Sequence, residues 1–190
     1  MYKMIDTIFT TGQRILDDLR TTQADNLHKA AELIATAHKN GHKFFVSGSG
    51  HSHTVAEEFY GRAGGLAFPV PIMTTELTLE EHPTKSSYIE RLPGYAAILG
   101  ELYGVDEGDV VLITSNSGRN AYPVEMALYA KEHGAKVIAI TSVDHSSTPQ
   151  LSTTISARSI SFLPLECLED VLEEWSTLVI AITFAPCSFA

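Results

Sequence analysis

Gly108-Asp109-Val110-Val111-Leu112-Ile113-Thr114-Ser115-Asn116-Ser117-Gly118-Arg119-Asn120 is the stretch that decides the fold. Residues 109–114 are an apolar burst, the pattern of a strand buried on both faces. Residues 115–120 then gather hydroxyls, amides and a glycine where a helix should begin. A helix is expected over 122–133, with Pro123 suited to its first turn and Gly134 to the position just past its end. Lys136-Val137-Ile138-Ala139-Ile140-Thr141 is a further buried strand. Strand, polar loop, helix, strand is the repeating unit of a parallel sheet covered by helices on both faces.

The same unit occurs nearer the N-terminus. Lys43-Phe44-Phe45-Val46-Ser47 reads as a strand, Gly48-Ser49-Gly50-His51-Ser52 as the loop after it, and 54–63 as the helix. Another burst at 69–73 carries Pro69 and Pro71, which cannot donate to a ladder, so it belongs at a sheet edge. Residues 85–102 are helical in character, with a break at Pro93-Gly94. Two helices precede the first strand. One is marked by Ile5, Ile8, Phe9, Ile15, Leu16 and Leu19, and Thr21-Thr22 interrupts it. The other is marked by Leu27, Ala30, Ala31, Ile34 and Ala37, and Asn40-Gly41 ends it. Beyond the last clear strand, 142–158 reads as a Ser/Thr-rich loop, 167–175 as a short acidic helix, and 176–190 as apolar without periodicity.

Composition sets the bounds. A chain of 190 residues with 44% hydrophobic and 19% charged residues is a globular chain of about one domain. Thirteen Lys and Arg against 23 Asp and Glu give a net charge of −10, which repels a phosphate backbone, so no nucleic-acid partner is expected. A small anion held by local groups is still compatible with that charge. Cys167 and Cys187 are too few for a disulfide framework. The N-terminus, with Lys3 and Asp6, lacks the apolar region of a signal peptide, and 178–185 is too short to span a bilayer. A cytoplasmic protein with no membrane partner is the expectation.

Either polar loop alone could be a tight turn whose serines cap the next helix. Two of them in one parallel sheet, however, open at the same carboxyl edge, where open α/β sheets bind ligands. Glycines allow close backbone approach, helix-start amides attract anions, and hydroxyls and amides donate to phosphate oxygens. Gly48, Ser49, Gly50 and Ser52 with Ser115, Asn116, Ser117, Gly118 and Asn120 are therefore expected to form one anion site. Other motifs fail. His53 stands where a dinucleotide fingerprint needs its third glycine, no Gly-Lys-Ser/Thr is present, and Ser115 and Arg119 replace the glycines of a nucleophile elbow around Ser117. His51 and His53 have no clear third ligand nearby in sequence, so neither metal nor other cofactor is expected.

These loops resemble those of a sugar isomerase (SIS) domain. The likeness rests on 44–52 and more firmly on 108–120, and Gly134-Ala135 with the strand after it extends it to about residues 1–142. It implies a three-layer α/β/α sandwich with a parallel sheet, here preceded by two helices, and a phosphosugar ligand. It also implies that Ser52 and the loop Ser115, Asn116, Ser117, Asn120 contact the phosphate, Asn120 standing where Ser or Thr is usual. Segment 143–190 departs from the pattern: no fifth strand or closing helix is recognisable, and no residue after Asp144 matches the late helix that carries a catalytic histidine in the sugar-phosphate isomerases. A truncated or altered reading frame is one cause that fits.

Ala56-Glu57-Glu58-Phe59-Tyr60-Gly61-Arg62 is similar to a helix of the sedoheptulose-7-phosphate isomerases, where the second glutamate is the base, and this nominates Glu58. Residues 85–95 resemble a stretch of uncharacterised phosphosugar-binding SIS proteins. An aldose–ketose isomerase working through an enediol needs a base and an acid. Glu58 or Glu57 could supply the first, and His51, His53 or His82 the second. The alternatives are a non-catalytic phosphosugar sensor and an amino-sugar phosphate lyase or etherase. The likeness further implies a homodimer or homotetramer, packed through the two N-terminal helices.

Overall fold

Two helices come first. In the computed structural model, which describes residues 2–82, 84–141 and 178–181, α1 (Tyr2–Thr22) and α2 (Ala24–Lys39) meet at Gln23. β1 (Phe44–Gly48) then passes through one 3-10 turn, Gly50–His53, into α3 (Thr54–Gly61), and β2 (Pro69–Ile72) follows. α4 (Lys85–Ile89) and α5 (Tyr95–Tyr103) lie on either side of the Pro93-Gly94 break. β3 (Val110–Thr114), α6 (Ala121–Glu132), β4 (Lys136–Thr141) and β5 (Leu178–Ala181) complete the elements.

The five strands are parallel and run in the order β2-β1-β3-β4-β5. β2 is an edge strand, as its two prolines require. The expectation that no fifth strand can be recognised is corrected: β5 pairs with β4 from Ile138↔Leu178 to Thr141↔Ala181. Leu-Val-Ile-Ala is continuous in its apolar character, so it shows no two-residue period, and in sequence it merges into the longer apolar run 178–185. The loop expected at 142–158 and the helix expected at 167–175 lie outside the described residues.

Alternation along the strands divides the core into two layers. Phe45, Val111, Ile113 and Val137 pack with Leu99, Tyr122, Met126 and Ala130, from α5 and α6. Phe44, Val46, Val110, Leu112 and Ile138 pack with Ala30, Ala37 and Ala56, from α2 and α3. The strands are thus buried on both sides, which is why they read as unbroken apolar runs. The architecture is a three-layer α/β/α sandwich. No described helix is long and apolar enough to cross a membrane.

Candidate functional site

The strand order fixes where a ligand can enter. From β1 the chain goes to β2 on one side, then crosses back to β3 on the other. In this strand order the connections diverge between β1 and β3, leaving a crevice at their carboxyl ends. The two polar loops leave from these strands, and the register pairs Gly48 with Thr114, so the loops start side by side.

Gly48 ends β1 where nothing larger fits: a Cβ there would lie 2.6 Å from the Ser52 carbonyl oxygen. The first loop is tied down at once. The Gly50 amide donates to the Leu77 carbonyl at 2.8 Å, and the Ser52 amide donates to the Ser49 carbonyl at 3.0 Å. In the second loop the Ser115 amide donates to the Ile140 carbonyl at 3.0 Å, and the Gly118 amide donates to Ser115 Oγ at 3.1 Å. Gly118 is buried and takes a φ of 61°, a conformation that glycine adopts without strain. These four amides are engaged, so an anion is met by other groups of the two loops. At the end of β3, the buried Thr114 hydroxyl has no protein partner among the described residues.

The loops are joined by a residue that sequence reasoning missed. Glu90, half-buried just past α4, accepts from Ser49 Oγ at 2.7 Å and from Asn120 Nδ2 at 2.7 Å. Its carbonyl accepts the Tyr122 amide at 2.9 Å. Only the quoted likeness of 85–95 pointed toward that stretch, because a lone glutamate beside a helix break carries no pattern of its own.

His53 lies at the end of the first loop and is nearly closed to solvent. Its Nδ1 contacts the Gly50 carbonyl. Its Nε2 is 3.1 Å from Glu57 Oε1 and 3.3 Å from Glu80 Oε1. The carbonyl contact fits a proton on Nδ1, which leaves Nε2 facing the two carboxylates. The three ligand atoms lie within 4.8 Å of one another and could hold a metal ion, Glu57 and Glu80 supplying the ligands that sequence spacing does not reveal. Hydrogen bonds from the Thr78 hydroxyl and its own backbone hold the Glu80 carboxyl below its ordinary value, and the His53 charge adds to this.

Glu58 points to solvent and pairs with Arg62 at 2.6 Å; both are about two-thirds exposed, at 68% and 67%. The structure therefore joins Glu57, and not Glu58, to His53. His51 and Asn116 are exposed, while Ser52, Ser115 and Ser117 are half-buried. His82 contacts Thr84, and Glu81 pairs with Lys85.

The SIS domain family model matches residues 9–142. The chain is 50% identical over 133 residues to the UPF0309 protein BH3325 of Halalkalibacterium halodurans, covering 70% of this chain and 55% of that protein. It is 43% identical over 148 residues to the UPF0309 protein BOV_A0853 of Brucella ovis, covering 78% of this chain and 61% of that protein. The chain thus spans between 55% and 61% of the length of these two relatives. Among solved structures, phosphoheptose isomerase GmhA from Neisseria gonorrhoeae superimposes with a TM-score of 0.68 at 18% identity, over 98% of this chain and 89% of that one. A phosphoheptose isomerase from Francisella tularensis gives 0.60 at 15% identity, over 96% and 85%.

Proposed function

This chain belongs to the SIS domain family, and we propose that it binds a sugar phosphate in the β1/β3 crevice and isomerises the sugar through an enediol. The observation that carries the proposal is the pairing of two polar strand-to-helix loops at the point where the connections diverge, with the His53–Glu57 contact at one end. Serine hydroxyls, amides and helix-start dipoles can hold a phosphate without a basic patch, which suits a chain of net charge −10. The names of two structures that share the fold, both phosphoheptose isomerases, support the same substrate class.

In this mechanism Glu57 is the base. Its carboxylate takes the proton from the carbon beside the carbonyl and returns it to the former carbonyl carbon. His53, held by the Gly50 carbonyl, orients that carboxylate. His51, exposed beside the loop, gives a proton to the carbonyl oxygen and takes back the one that the neighbouring hydroxyl releases as it becomes the new carbonyl. Glu58 serves this scheme less well, because Arg62 occupies its carboxylate. A second reading is favoured by the His53, Glu57 and Glu80 cluster: a divalent cation there would polarise the carbonyl in place of a protonated histidine.

Proton exchange at the sugar C1 and C2, followed by NMR in deuterated water, tests the assignment. Glu57→Gln abolishes exchange and leaves sugar-phosphate binding intact. Exchange that survives in Glu57→Gln and is lost in Glu58→Gln moves the base to Glu58. Binding without exchange in the wild-type chain makes the protein a sensor. Release of an ether-linked group from an amino-sugar phosphate makes it a lyase or etherase. The proposal extends to assembly as a homodimer or homotetramer through α1, which exposes Met4, Ile8, Phe9 and Leu16.

A further inference from the structure

Glu90 takes no part in the chemistry above, yet its one carboxylate touches both loops: Ser49 through one oxygen and Asn120 through the other, each at 2.7 Å. Its backbone is fixed as firmly. The Glu90 amide donates to the Ser86 carbonyl at 2.9 Å, and the Glu90 carbonyl accepts from Tyr122 at the head of α6. Ser86 is buried against the first loop, where a Cβ on Gly50 would lie 3.9 Å from Ser86 Oγ. Glu90 is therefore held in place at the mouth of the crevice.

Its chemistry is one-sided. A carboxylate only accepts hydrogen bonds, at about four lone-pair positions, and described residues occupy two of them. The serine hydroxyl has a single proton, which Ser49 gives to Glu90, so Ser49 can meet a ligand only as an acceptor. Asn120 has given one of its two amide protons. This corner therefore disfavours a phosphate, which brings like charge, and it welcomes sugar hydroxyls, which are neutral and donate. Ser49 and Asn120, expected from sequence to hold phosphate, become part of the sugar end.

We propose that Glu90 is a specificity-determining residue that receives hydrogen bonds from the sugar hydroxyls and keeps the phosphate out of the Ser49–Glu90–Asn120 corner. This rests on the phosphosugar reading of the crevice. The test is calorimetric titration of the full chain with inorganic phosphate, glycerol 3-phosphate and sedoheptulose 7-phosphate, which carry increasing numbers of hydroxyls on the same charged group.

In Glu90→Gln, inorganic phosphate binds about threefold tighter as a like charge is removed. Sedoheptulose 7-phosphate binds about tenfold weaker as a charged acceptor is lost, and glycerol 3-phosphate falls between the two. Glu90→Asp keeps the charge but is too short to span both loops. It leaves phosphate affinity unchanged and weakens sedoheptulose 7-phosphate. Equal losses for all three probes in a variant that still unfolds cooperatively overturn the assignment and make Glu90 a loop clamp only. A wild-type chain that binds none of the three overturns the phosphosugar reading itself, and this assignment with it.

Discussion

Ser47 and Tyr122 are both closed to solvent and share a hydrogen bond of 2.7 Å between the end of β1 and the start of α6. Burial pushes the Tyr122 phenol above its ordinary value, and the Ser47 hydrogen bond opposes the shift only in part. Tyr122→Phe leaves the Ser47 hydroxyl buried and unsatisfied, and urea unfolding should show a loss of about 1–3 kcal/mol. The pH dependence has a definite sign. The folded phenol is the weaker acid, so the unfolded chain ionises first. Stability is therefore full below the ordinary phenol range and declines as the pH rises through it. Tyr122→Phe should flatten that decline. At this scale the sequence was only partly legible. The loop residues could be named because hydroxyls, amides and glycines cluster visibly between strand and helix. The partners of Glu80 and Glu90 could not, because each glutamate reaches them across 27 or more positions from a loop with no period, and only the folded chain brings them together.

The elements were more legible than their partners. β1, β3 and β4 stand out because a strand covered on both faces is a short apolar run bounded by turns. β2 revealed its edge position through Pro69 and Pro71. β5 stayed hidden because its four residues sit in a longer apolar tract. The choice between Glu57 and Glu58 was hidden for a related reason. Adjacent residues on a helix diverge by about 100°, and sequence does not say which one faces His53. α1 poses the opposite case: its stripe was visible, and the structure leaves it uncovered among the described residues, with Ile8 65% and Phe9 74% exposed. An apolar helix face of that kind calls for a partner. Sedimentation of the full chain should give a dimer or tetramer, and Ile8→Glu with Phe9→Glu should give monomers. A wild-type monomer would contradict the assembly.

For the whole molecule, strand order carries the argument. The order β2-β1-β3-β4-β5 makes one crevice, and both polar loops open into it. The net charge of −10 argues against a nucleic-acid partner, but it does not conflict with a phosphate held by uncharged donors. The most direct test of this account is the thermal unfolding of the full chain with ketose and aldose phosphates, each beside its unphosphorylated sugar. A ligand at about 100 times its dissociation constant adds about 2.7 kcal/mol of stability, enough to raise the midpoint by about 5 °C or more in a chain of this size. The account predicts such a rise with at least one phosphorylated sugar and none with its unphosphorylated counterpart. No rise with any of them, or equal rises within a pair, would contradict it.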